Sequence, residues 1–129
     1  MILLNLEETV STPKVYVDNE QFHISGETRP ENSRKFYEQV FEVMTQIDQS
    51  MHNGTISSYN FLFDFEYIGT SSLVMLKKLL TELKALQDKY DNISAKWLYY
   101  EMDEGMQMLG EEMLVITGVD MEVSQRAQD

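Results

Sequence analysis

Polar and apolar positions along this chain change period several times, and each change marks an element boundary. Residues 1–13 read as a loose lead-in, with a strand near Ile2–Leu6. Lys14-Val15-Tyr16-Val17 is a short strand, Asp18-Asn19-Glu20 a turn, and Gln21–Gly26 alternates like a returning strand, which together predict a hairpin. Arg29-Pro30-Glu31-Asn32 then breaks the sheet and supplies caps. From Ser33 to Ser50 the period becomes helical: Phe36, Val40, Val43 and Ile47, with Tyr37, Phe41 and Met44, form one apolar face. The period returns to two at Tyr59, Phe61, Phe63, Phe65 and Tyr67, an aromatic strand long enough to predict a central position covered by helices.

Gly69 permits a sharp exit into a second helix over Ser71–Tyr90, with Leu73, Leu76, Leu80 and Leu83 as its stripe. Ser94–Tyr100 predicts another strand. Asp103–Thr117 predicts a third helix with Met106, Leu109, Met113 and Ile116 inward, and Gly118 stops it. Val119–Val123 can add a short edge strand, and Ser124–Asp129 reads as a frayed tail. The order β-β-α-β-α-β-α predicts an α/β sandwich whose mostly parallel sheet bears an antiparallel hairpin.

The length of 129 residues fits one domain spanning the whole chain, with residues 1–11 and 124–129 as loose termini. At 43% hydrophobic the chain can bury a core. No apolar run approaches the roughly 20 residues that span a bilayer, and the N-terminus lacks the basic flank of a signal peptide. Absence of cysteine excludes disulfides and thiolate metal sites and is compatible with the cytoplasm. The net charge of −12, with ten scattered basic residues, argues against nucleic acid and anionic membranes and favours basic protein partners.

Chemistry-bearing motifs are few. There is no phosphate loop, nucleophile elbow or zinc-helix motif. His23 and His52 are isolated, and no metal or cofactor site is predicted. Glu101, Asp103 and Glu104 lack the spacing of a calcium loop and read as a solvated helix start. Most of the nine methionines fall on helices, where they fill a core or form an adaptable docking surface. The cluster Thr70-Ser71-Ser72 stands out, because it sits at a strand–helix junction on the positive end of a helix dipole. Its hydroxyls can cap the helix, and a phosphate there would meet unpaired backbone N–H groups.

The chain resembles the SiaC-type regulatory phosphoproteins of bacterial partner-switching systems. The resemblance rests on Thr12-Pro13-Lys14-Val15-Tyr16, Ile24-Ser25-Gly26, Arg29-Pro30-Glu31-Asn32-Ser33, Phe36-Tyr37, Phe65-Glu66-Tyr67 with Gly69-Thr70-Ser71-Ser72, Trp97–Glu101 and Asp103-Glu104 through Glu111. It implies a STAS-like fold, similar to anti-sigma-factor antagonists. It implies a non-enzymatic, cytoplasmic protein phosphorylated on Thr70, with Ser71 and Ser72 as fallback sites. A serine/threonine kinase and a PP2C-type phosphatase would set its state, and the unphosphorylated form would activate a diguanylate cyclase, promoting cyclic-di-GMP synthesis and biofilm formation. Partner contacts are expected at Glu66, Tyr67, Gly69, Thr70, Ser71, Ser72 and Leu73. Two other readings are an anti-sigma-factor antagonist controlling transcription, and a small-molecule enzyme using Asp64, Glu66 or the Glu101-Asp103-Glu104 group.

Overall fold

The computed structural model describes residues 1–127, so the last two residues of the predicted tail lie outside it. The strands are β1 (Ile2–Leu6), β2 (Lys14–Asp18), β3 (Gln21–Thr28), β4 (Tyr59–Ile68), β5 (Ile93–Tyr99) and β6 (Glu122–Gln125). The helices are α1 (Ser33–His52), α2 (Thr70–Lys89) and α3 (Glu104–Thr117). The strands form one six-stranded sheet in sequence order. β1–β2 and β2–β3 pair antiparallel, and β3–β4, β4–β5 and β5–β6 pair parallel. This is the mostly parallel α/β fold that the element order predicts.

Three successive crossovers step across the sheet in one direction. Right-handed connections of that kind place their helices on the same face. α1 packs beside α2 and α2 beside α3, as one layer. The helix-covered face buries Val15, Val17, Phe22, Ile24, Phe61, Phe63, Phe65, Ala95 and Trp97. The opposite face carries Asn60, Ser94 and Lys96 in the open, with His23, Leu62 and Leu98 half-buried. The aromatic strand is therefore central but covered on one side.

Three particulars differ from the sequence expectations, and one is met. Tyr67 does not join the aromatic face: the β3–β4 register shifts after Gly26/Phe65, so Glu27 pairs with Tyr67, and the ring emerges 51% exposed. A bulge flips the alternation wherever one residue goes unmatched. The strand expected near Ile2–Leu6 is present and pairs antiparallel with β2. The tail is not frayed at Ser124 and Gln125, which belong to β6, nor at Arg126, whose N–H donates to Tyr99 O at 2.7 Å. Lastly, α3 rests on Met106, Gly110 and Met113, while Ile116 faces out. Gly110 sets that phase by letting the helix backbone lie directly on the Trp97 indole.

Candidate functional site at the β4–α2 junction

The sequence places Gly69 where β4 must turn into α2. Gly69 is the N-cap residue, in extended conformation, and its N–H donates to Thr28 O at 2.8 Å. The first helical bond runs from Leu73 N to Gly69 O at 3.0 Å. Thr70, Ser71 and Ser72 thus occupy the first three helical positions, whose N–H groups have no partner inside the helix. No side chain caps this helix, so the capping role expected of the hydroxyl cluster is not realised.

The three hydroxyls have separate fates. Thr70 is exposed, and its hydroxyl makes no hydrogen bond within the described residues. Ser71 is exposed but its Oγ lies 2.7 Å from Ser33 Oγ, across the gap to α1. Ser72 is fully buried. Thr28 donates to Ser72 Oγ at 2.9 Å, so Tyr37 OH must donate to Thr28 Oγ1, 2.6 Å away. Burial pushes the Tyr37 phenol up to about 12, against the pull of its hydroxyl partners. This buried chain stitches β3, α1 and α2 together beneath the junction. Thr28, Ser33 and Tyr37 are invisible as site residues in the sequence, because their partners lie up to 44 positions away.

Around this platform, Tyr67 and Val74 present apolar surface to solvent, and Leu73 is half-buried. A shallow depression beside Ser71 is lined by Glu31, Asn32, Arg34, Val74 and Met75. Glu66 is exposed and accepts from Tyr100 OH at 3.1 Å. Arg126 Nη1 donates to that same phenol and to Asp64 Oδ2, each at 2.8 Å. Asp64 and Glu66 are therefore tied into a sheet-face network rather than aimed at Thr70. Asp103 caps α3 by accepting from Met106 N at 3.0 Å. Among the described residues no group of three or more His, Asp or Glu side chains could hold a metal ion.

The pattern for SiaC family regulatory phosphoproteins matches residues 6–125. The chain belongs to this family. Solved structures of Pseudomonas aeruginosa SiaC share its fold. The apo form is 21% identical, with a TM-score of 0.79 over 96% of this chain and 98% of that one. A chain in the crystal structure of the diguanylate cyclase SiaD with its activator SiaC is 21% identical, with a TM-score of 0.85 over 95% and 99%. No curated protein is significantly similar. Family membership makes this a regulatory phosphoprotein, and among the described residues no helix is long and apolar enough to cross a membrane.

Proposed function

We propose that this SiaC-family protein is a non-enzymatic, cytoplasmic switch whose Thr70 hydroxyl is phosphorylated by a serine/threonine kinase and cleared by a PP2C-type phosphatase. Its unphosphorylated form binds and activates a diguanylate cyclase, in a pathway governing biofilm formation. The observation that carries this reading is the contrast within the cluster: Thr70 is exposed and unbonded, while Ser72 is sealed beneath it. Ser71 is the remaining reachable hydroxyl, half-engaged with Ser33. A phosphate on Thr70 adds about −1.5 to −2 charges. It would sit against the free N–H groups of the first turn, which favours the modified fold. Beside exposed Tyr67 and Val74, that charge would repel an acidic partner surface and would lose its hydration beneath an apolar one. Partner contacts are assigned to Glu66, Tyr67, Gly69, Thr70, Ser71 and Leu73, with Ser72 supporting them from below.

The test is intact-mass and site-mapping spectrometry after incubation with the kinase from the same host, alongside cyclase binding by calorimetry. One phosphate on Thr70, absent in Thr70→Ala, and weakened cyclase binding by the modified form are expected. An unmodified wild-type protein, or equal cyclase binding by both forms, overturns the proposal.

A further inference from the structure

From Tyr99 to Gln125 the chain carries no lysine or arginine, yet it holds Glu101, Asp103, Glu104, Glu111, Glu112, Asp120 and Glu122. α3 lies in the middle of this stretch. It is a firmly seated helix: Gly110 abuts the Trp97 ring, Trp97 Nε1 donates to Met106 O at 3.1 Å, and Asp103 caps the first turn. Its outward side is unusual. Met108 is 66% exposed, Val115 85% and Ile116 47%. They fall at i, i+7 and i+8, which puts them on one side of the helix about two turns apart. Glu104, Glu111 and Glu112 are exposed around them.

We infer that the outer face of α3 docks an amphipathic helix of a partner protein, one whose apolar seam is flanked by lysine or arginine. Met108 and Val115 repeat at seven residues, with Ile116 beyond Glu112, and this short apolar strip on a capped helix is the kind of surface that seats the apolar side of a second helix. Charge chooses the occupant. Glu104 and Glu111 lie on one side of Met108 and Val115 and Glu112 on the other, with Lys84 reaching only the Gly118 end of the helix, so a basic flank gains attraction on both sides of the seam. A second copy of this chain would set Glu104, Glu111 and Glu112 against the same carboxylates. This surface lies on a different helix from Thr70 and stands whether or not that residue is modified.

The test uses a designed helical peptide with a leucine seam flanked by lysines, and a twin with glutamates in place of the lysines. Binding is followed by fluorescence anisotropy of the labelled peptide. The expected result is binding of the lysine peptide that weakens with salt, and no binding of the glutamate twin. Met108→Ser combined with Val115→Ser leaves the charge and the melting curve unchanged and weakens binding tenfold or more. Val74→Ser on α2 and Thr70→Ala leave it unaltered. Equal binding of both peptides overturns the inference, as does undiminished binding by the Met108/Val115 variant or loss of binding on Val74→Ser. Sedimentation equilibrium is expected to give a monomer, and a dimer dispersed by Val115→Ser would assign the face to self-association instead.

Discussion

Gly110→Ala offers a sharp trial of how α3 is held. Helix propensity alone favours the change by about 1 kcal/mol, since glycine is a poor interior residue. Packing opposes it. A Cβ at Gly110 would lie 2.6 Å from Trp97 Cδ1, 2.8 Å from Nε1 and 3.0 Å from Cγ. The indole has nowhere to go. It is fully buried, sits 6.1 Å from the Phe63 ring and 5.8 Å from Phe65, and is tethered to Met106 O. Either the ring leaves its position or α3 lifts from the sheet, and overpacking of this kind costs about 1–3 kcal/mol. Set against the propensity gain, the net expectation is destabilisation by up to about 2 kcal/mol. Urea unfolding followed by the emission of Trp97, the single tryptophan, measures it. Gly105→Ala is the control, because its Cβ would meet only Asp103 Oδ1 at 3.7 Å and should cost nothing. In a Trp97→Phe background, followed by circular dichroism, the smaller and untethered ring can shift, and the Gly110→Ala penalty should shrink. Stabilisation by Gly110→Ala matching the helix-propensity gain, or an equal effect in both backgrounds, refutes the reasoning.

Other outcomes follow from the polar groups. Arg126→Ala removes the cation from Asp64, whose side chain is only 9% exposed, and should cost about 1–2 kcal/mol in denaturant unfolding. Burial holds the His23 imidazole below its ordinary 6.5, with Lys14 and Arg126 adding to the effect and Asp64 opposing it. The unfolded chain therefore takes up that proton more readily, so stability is full above about pH 6.5 and declines as pH falls through that value. His23→Gln should flatten this part of the stability curve, and an unchanged curve would dismiss the role. Tyr37, raised to about 12 by burial, contributes stability present below pH 10 and lost as pH climbs toward its folded value. Ultraviolet titration of tyrosinate should show late ionisation whose amplitude Tyr37→Phe lowers by one phenol, Tyr59, also raised by burial, supplying the remainder. Thr70→Ala should change stability by less than about 0.5 kcal/mol, whereas Ser72→Ala should lose about 1 kcal/mol through its buried hydrogen bonds. Thermal melts distinguish the two.

The aromatic alternation of Tyr59–Phe65 and the leucine stripe of α2 were readable in the sequence because burial imposes a period that the spacing of apolar residues reveals. The failures share a different cause. Tyr67 turns outward because of one unmatched residue in the β3–β4 ladder, and register is a property of two strands rather than one. Ile116 looked like a core position because 106, 109, 113 and 116 and 106, 110, 113 and 117 are both plausible helical stripes. The choice between them was made by a glycine, which hydrophobic patterning does not see. Arg126 looked like part of a loose end because its partner Asp64 lies 62 positions earlier. At the junction, the sequence grouped Thr70, Ser71 and Ser72 as one cluster, with Thr70 ranked first only through the family resemblance, and it could not show how differently they are exposed. A helix advances about 100° per residue, so neighbours cannot all share one exposure.

That rotation also explains how one turn can serve both folding and signalling. Thr70 points to water while Ser72, two positions on, points into the gap where Thr28 and Tyr37 meet it. The buried hydroxyls satisfy one another and fix the angle between β3, α1 and α2, so the exposed hydroxyl inherits a rigid mount without contributing to it. A charge added at Thr70 therefore need not break any hydrogen bond seen in the fold. Its cost to the protein is offset by the unpaired N–H groups of the first turn. Its effect on a partner is larger, because exposed Tyr67 and Val74 make the surface beside Thr70 an apolar docking face, although Arg29 and Arg34 also lie near the junction. The same modification is thus expected to be mild for stability and strong for binding. Joint measurement of the melting temperature and the cyclase affinity of the phosphorylated protein would expose any departure from that division.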